Sequence, residues 1–157
     1  MAGTWSRSTF TPVSLAPPGP PWPGPVYGEW MRVDLVAIVV DDYPAIRFFV
    51  DNLGFELVED SPSLTNDGRP KRWVVVRPPG AETGILLARA DGDSQGAVVG
   101  NQVAGRVGFF LRVDDFDAAY RRMVSAGVEF VVTPRAEAYG RVAVFLDVAG
   151  NRWDLFG

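Results

Sequence analysis

From Arg32 onward the chain alternates short apolar runs with polar punctuation, and the spacing within each run predicts an element. Val33 to Val40 is almost wholly apolar and β-branched, the make-up of a buried strand. Asp41-Asp42 closes it with carboxylates suited to capping a following helix. Ile46, Phe49, Val50 and Leu53 recur at helical spacing, and Gly54 stands where a left-handed residue ends a helix. Phe55 to Glu59 predicts a second strand, residues 60–71 a polar loop, and Trp73 to Arg77 a third strand. Pro78-Pro79-Gly80 then turns the chain into a fourth, Gly84 to Ala88. The order is βαβββ.

The same order recurs. Val40-Asp41-Asp42-Tyr43 and Leu53-Gly54-Phe55-Glu56 reappear as Val113-Asp114-Asp115-Phe116 and Ala126-Gly127-Val128-Glu129, at a constant offset of 73 residues. Val107 to Val113 predicts a strand, Asp115 its helix cap, and Phe116, Ala119, Tyr120 and Met123 the buried helical stripe. Gly127 stops that helix. Strands over Val128–Thr133, Arg141–Asp147 and Arg152–Phe156 follow, the last two joined by the turn Val148-Ala149-Gly150-Asn151. The expected organisation is a Pro-rich extension over residues 1–30 and one domain over 31–157, made of module one (32–90), a Gly/Asp/Gln/Asn-rich linker (91–104) and module two (105–157).

Seven of the thirteen prolines fall within residues 1–30, and because proline fixes φ and lacks an N–H that stretch belongs outside any sheet. Its aromatics, Trp5, Phe10, Trp22, Tyr27 and Trp30, are read either as an arm that packs on the domain or a neighbouring subunit, or as a poorly ordered tail. Met31 directly precedes the first strand signal, which leaves a start of translation there as a third reading.

Composition narrows the chemistry. A net charge of −4 with scattered Lys and Arg argues against a nucleic-acid partner. The absence of Cys removes disulfides, thiolate ligands and a Cys nucleophile, and the absence of His removes the commonest metal ligand and general base together. No basic leader followed by an apolar core occurs, and no apolar run is long enough to span a bilayer, so a soluble cytoplasmic protein without a membrane partner is expected.

Three stretches carry a family likeness. They are Phe48-Phe49-Val50-Asp51-Asn52-Leu53-Gly54-Phe55, the segments Val113 to Tyr120 and Ala126 to Phe130, and Phe145-Leu146-Asp147-Val148-Ala149-Gly150-Asn151-Arg152-Trp153-Asp154-Leu155. Over Arg32 to Gly157 the chain resembles the vicinal oxygen chelate superfamily of glyoxalases, extradiol dioxygenases, epimerases and bleomycin-resistance proteins. The resemblance implies an α+β fold in which two tandem βαβββ modules form a half-barrel-like curved sheet with helices outside. It also implies a homodimer. In metal-dependent members a divalent ion is held by one side chain from the first and last strand of each module, commonly two His and two Glu. Those positions fall here at Leu35, Gly108 and Asp154, with the fourth at or beside Leu86. One carboxylate does not make a selective metal site, so no metal and no cofactor are expected.

Strand alternation then predicts the concave face: Leu35, Ala37 and Val39; Gly84, Leu86 and Ala88; Arg106, Gly108 and Phe110; Arg152, Asp154 and Phe156. Small residues there leave room and large ones make apolar walls, which suits a small, largely apolar ligand with a few polar anchors. Asp154 is the candidate catalytic group, a general base if the cavity desolvates it or merely a partner of Arg106 or Arg152. Tyr139, Arg141 and Arg72 stand at strand ends, either to hold an anionic ligand group or as solvated side chains. Trp73 and Trp153 read as stacking surfaces or as core, and Asn101 and Gln102 as linker turn chemistry near the cavity mouth. The doublets Asp41-Asp42 and Asp114-Asp115 read as helix caps.

Three functions follow from these residues. One is metal-free binding of an organic compound. Another is a metal-independent isomerase, lyase or cyclase using Asp154 as general base. The third is an interaction module using the Pro-rich arm.

Overall fold

The computed structural model describes residues 32–157, so the expectations for residues 1–31 lie outside the described residues. In chain order the elements of the first repeat are β1 (Leu35–Val40), α1 (Ala45–Arg47) running directly into a π-helical turn (Phe48–Asn52), β2 (Glu56–Leu64), β3 (Pro70–Arg77) and β4 (Gly84–Arg89). After a short α2 (Asp93–Gly96) come β5 (Val107–Arg112), α3 (Phe116–Ser125), β6 (Phe130–Glu137), β7 (Gly140–Leu146) and β8 (Arg152–Phe156). They form two four-stranded sheets in the orders β1-β4-β3-β2 and β5-β8-β7-β6. The helical crossover makes β1 parallel to β4 and β5 parallel to β8, and the hairpin-linked strands are antiparallel. This is the expected α+β fold of paired βαβββ modules.

One face of each sheet is dry. Ile38, Val40, Val74, Val76 and Leu87 of the first sheet and Ala143, Phe145, Trp153 and Leu155 of the second join Phe49, Leu53, Phe116, Ala119 and Met123 in a single buried cluster. The core crosses between the repeats: the Trp153 ring lies 6.0 Å from Phe49, 4.6 Å from Phe109 and 5.8 Å from Phe145. Truncating a fully buried aromatic of this kind costs roughly 3–5 kcal/mol. The helix ends are tied as well. Asn52 Nδ2 donates to the Ala126 carbonyl at 2.9 Å, and Arg122 donates to the carbonyls of Asn52 and Leu53 at 3.0 and 3.1 Å.

Several local readings change. The stretch expected to be a polar loop over residues 60–71 is mostly ladder, because β2 extends to Leu64 and β3 begins at Pro70. Both faces of this ribbon are largely exposed, so no apolar alternation announces it, and its signal is the turn sequence Asn66-Asp67-Gly68. There Thr65 Oγ1 and Asp67 hydrogen-bond, the Thr65 amide donates to the Arg69 carbonyl at 2.9 Å, and Gly68 takes a φ of +83°. Asp115 caps α3 as expected, its Oδ1 accepting from the Ala118 amide at 2.9 Å. Asp41 and Asp42 do not cap α1. Pro44 occupies the cap position, and Asp42 offers Ala45 its backbone carbonyl instead.

Candidate functional site

Opposite the dry face, Leu35, Gly84 and Val75 share one side of the first sheet. The register sets Leu35 beside Gly84, Ala37 beside Leu86, and Val75 beside Leu86. A Cβ placed on Gly84 would lie 2.8 Å from Leu35 Cδ2 and 3.0 Å from Val75 Cγ1, so the Leu35 side chain covers the glycine. In the second sheet Phe110 stands beside Asp154, and a Cβ on Gly108 would lie 2.7 Å from Val103 Cγ2. The glycines expected to leave room are therefore filled over by their neighbours. The positions that the resemblance implies for a metal are Leu35, Gly108 under Val103, Asp154 and one at or beside Leu86, which Ile85 and Leu87 flank. Three of them present hydrocarbon or no side chain, so this donor set does not fit a divalent ion. No group of three or more acidic side chains that could hold a metal occurs elsewhere among the described residues.

The room on this face lies over the first sheet. A cavity of about 500 Å³ is floored by Trp73, Leu86 and Ala88 and rimmed by Tyr43, the hairpin turn from Thr65 to Lys71, Arg89, Asp91 and Gln95. Alternation along β3 puts Lys71, Trp73 and Val75 on one side. The rim is braced by ion pairs. Arg69 donates to Asp91 through both terminal nitrogens, one at 3.0 Å, and through Nε to Asp67 at 2.8 Å, joining the turn to the linker. The hydrogen bond from Thr65, with that of Arg69, holds Asp67 at about 2, and Arg69 likewise lowers Asp91. Arg72 Nε donates to Asp60 at 2.9 Å and holds that carboxyl low, while its guanidinium sits 4.4 Å from the Tyr43 ring centre. The Arg72 amide donates to the Tyr43 hydroxyl at 2.9 Å, and Arg89 lies 5.5 Å from the same ring.

Asp154 has a different setting. It is half-buried on β8, its register partners are Val144 and Phe110, and burial raises its carboxyl above the ordinary aspartate range. The charge that opposes this shift is Arg135 of β6, in place of the expected Arg106 or Arg152. Arg135 itself donates Nε to Glu137 at 2.7 Å and feels Tyr139. Arg135, ion-paired with Glu137, is thus the cation whose charge reaches Asp154.

The remaining sequence candidates disperse. Arg106 and Arg152 are exposed, Arg106 just before β5 and Arg152 at the start of β8. Tyr139 is in the β6–β7 turn and 65% exposed. Arg141 is turned to the helix side, pairing with Asp117 and lying 4.9 Å from the Phe116 ring centre. This follows from alternation along β7, since Ala143 and Phe145 on the same side are core. Phe110, 66% exposed, lines a second cavity of about 800 Å³ with Leu53, Phe55, Pro78, Pro79 and Arg122. Trp153 is core, whereas Trp73 lines the first cavity. The Asn101 amide makes a turn bond to the Val98 carbonyl, but Gln102 does more, its Oε1 accepting from the Val39 amide on the open edge of β1 at 2.7 Å. Sequence reasoning missed Lys71, Arg89, Tyr43 and Arg135. Period-two counting from Trp73 would have found Lys71; nothing local marks the others.

Comparison with known proteins agrees with this architecture. A sequence profile described as the Glyoxalase/Bleomycin resistance protein/Dioxygenase superfamily matches residues 32–155. An uncharacterized protein of Shewanella frigidimarina (strain NCIMB 400) is 49% identical over 122 residues, which cover 76% of this chain and 88% of that one. The crystal structure of UcmS2 superposes with a TM-score of 0.68 at 29% identity, covering 82% of this chain and 98% of its own. TnmS3, described as an antibiotic binding protein from Streptomyces sp. CB03234, has a TM-score of 0.64 at 32% identity and covers 81% of this chain and 95% of its own.

Proposed function

We propose that this chain, which belongs to the glyoxalase/bleomycin resistance protein/dioxygenase superfamily, is a metal-free binding protein for a small, largely apolar organic compound. The observation that carries this reading is the cavity of about 500 Å³ over the first sheet, whose floor is Trp73, Leu86 and Ala88 and whose rim is polar. A volume of that order, with an apolar floor and a few polar groups at the edge, is the usual form of a small-molecule site. The likeness to TnmS3 supports a ligand of the antibiotic kind. The donor set at the family's metal positions supports binding without an ion.

The test is a thermal-shift screen of natural-product antibiotics against the full chain, with each hit followed by calorimetry and mass spectrometry of the recovered compound. Micromolar or tighter binding of a compound returned unchanged is expected; recovery of a converted product would refute the binding-only reading. The proposed assembly is a cytoplasmic homodimer, checked by light scattering of the purified chain and by cell fractionation.

One observation favours a second reading, a metal-independent isomerase, lyase or cyclase. Asp154 is a half-buried carboxyl that burial holds above its ordinary range, which suits a general base. Under this reading Asp154→Asn abolishes turnover of a converted ligand and leaves its binding largely intact. An unchanged rate in that variant would end it.

A further inference from the structure

The charges around the first cavity do not cancel, and the imbalance specifies its ligand. Four cations line it, Arg69, Lys71, Arg72 and Arg89, against the two carboxylates Asp67 and Asp91. Arg69 is taken by both of those carboxylates, and Arg72 by Asp60. Lys71 and Arg89 remain, without an ion-pair partner among the described residues. Arg89 has the face of Tyr43 and the more distant charge of Asp91, and half-buried Lys71 shares its side of β3 with Trp73. A cationic ligand would have to displace Arg69 from its bidentate clamp. An anionic one meets two cations without ion pairs, half-buried Lys71 on the Trp73 side of β3 and exposed Arg89 at the end of β4 beside Tyr43, each able to make a charge-assisted hydrogen bond.

We propose that the first cavity takes a planar aromatic compound bearing an anionic oxygen group, its ring against Trp73 and its charge on Lys71 and Arg89. This rests on the binding reading above and narrows its ligand class. Trp73 supplies sequence-independent stacking area, Leu86 and Ala88 keep the floor flat, and the two cations set the polarity of the group at the rim. Lys71 and Arg89 are then specificity residues, and the Arg69–Asp91 clamp is a brace that leaves them unpaired.

Three probes of one skeleton separate these contributions: 2-naphthoate, neutral 2-naphthamide and 2-naphthylmethylamine, titrated into the full chain by calorimetry and by quenching of tryptophan fluorescence. The carboxylate is expected to bind on the order of tenfold tighter than the amide, with the amine weakest, and raising the ionic strength should narrow the gap. Lys71→Gln and Arg89→Gln should each remove most of the carboxylate's advantage while leaving the amide unchanged. Arg121→Gln, the same charge change on exposed α3, should have no effect. Trp73→Ala should weaken all three probes alike, with circular dichroism confirming that each variant folds. Equal binding of the three probes, or a preference that survives both charge substitutions, overturns the ligand class while leaving a binding cavity in place. Absence of any probe binding to the folded chain removes the cavity reading itself, and the inference with it.

Discussion

Replacing Gly84 by alanine should destabilise the fold, and replacing Leu35 by alanine first should remove most of that cost. Gly84 lies in β4 without a positive φ, so the backbone accepts alanine and the reduced freedom of the unfolded chain contributes a gain of about 0.4–1 kcal/mol. Against this, the new Cβ would stand 2.8 Å from Leu35 Cδ2 and 3.0 Å from Val75 Cγ1. Overpacking typically costs about 1–3 kcal/mol, and here it falls at the low end, because Leu35 Cδ2 is the end of a flexible half-buried side chain while buried Val75 holds the other side; the net loss is at most about 1 kcal/mol. In a Leu35→Ala background the nearer of the two contacts no longer exists. The Gly84→Ala penalty should then shrink by about 1 kcal/mol, a coupling well above the ~0.3–0.5 kcal/mol scatter of independent sites. Urea unfolding of the four proteins gives the cycle directly, provided the slopes agree so that midpoints compare stability. Additive single effects would mean that Leu35 does not cover Gly84. The claim that the Leu35 side chain fills the space over this glycine would then fail with it.

Asp147 is buried and accepts from the amides of Ala149 and Asn151, from Asn151 Nδ2 and from Trp153 Nε1 at 2.9–3.0 Å. Asp147→Asn would set an amide NH2 against the last two donors and is expected to cost about 2–3 kcal/mol, read as a shifted urea midpoint; a loss below ~1 kcal/mol would refute the role given to this turn. Burial raises the Asp154 carboxyl, so the folded chain holds that proton more tightly than the unfolded chain, and stability should fall as pH rises from the ordinary aspartate range through the raised folded value. Asp154→Asn removes this contribution, and the difference between the two urea midpoints across pH should favour the variant above that window; a difference of opposite sign would refute the assignment. Asp67 has the opposite sign. It is held at about 2 against an ordinary 3.8, so its contribution to the hairpin turn is complete above the ordinary value and is lost progressively as pH falls from there through about 2. A carboxyl titration by NMR with its midpoint near the ordinary value would contradict the Thr65 and Arg69 contacts.

The duplicated signals, the β-branched runs and the two helix-ending glycines dictate the βαβββ order, because those patterns are local and each favours one backbone conformation. Gly54 and Gly127 take φ of +78° and +84°, where a side chain would be strained. The residue types at the positions that the resemblance implies for a metal were legible too, and leucine or glycine offers no lone pair in any packing. The cap at Asp115 followed from spacing, whereas that at Asp42 did not, because Pro44 already supplies the helix start.

Only the tertiary structure decided where the empty volume lies. Leu35 and Val103 lean over the glycines that seemed to open the face, while the cavity forms over Trp73 beside a hairpin and a linker whose residues are far apart in sequence. Arg69 meets Asp91 across 22 positions and Arg72 meets Asp60 across 12, so which cations stay unpaired depends on strand register and chain return. Periodicity fixes the side of a sheet on which a residue points, because that is a property of one strand. Which neighbours then fill or vacate that side is a property of several strands packed together, and no single segment encodes it.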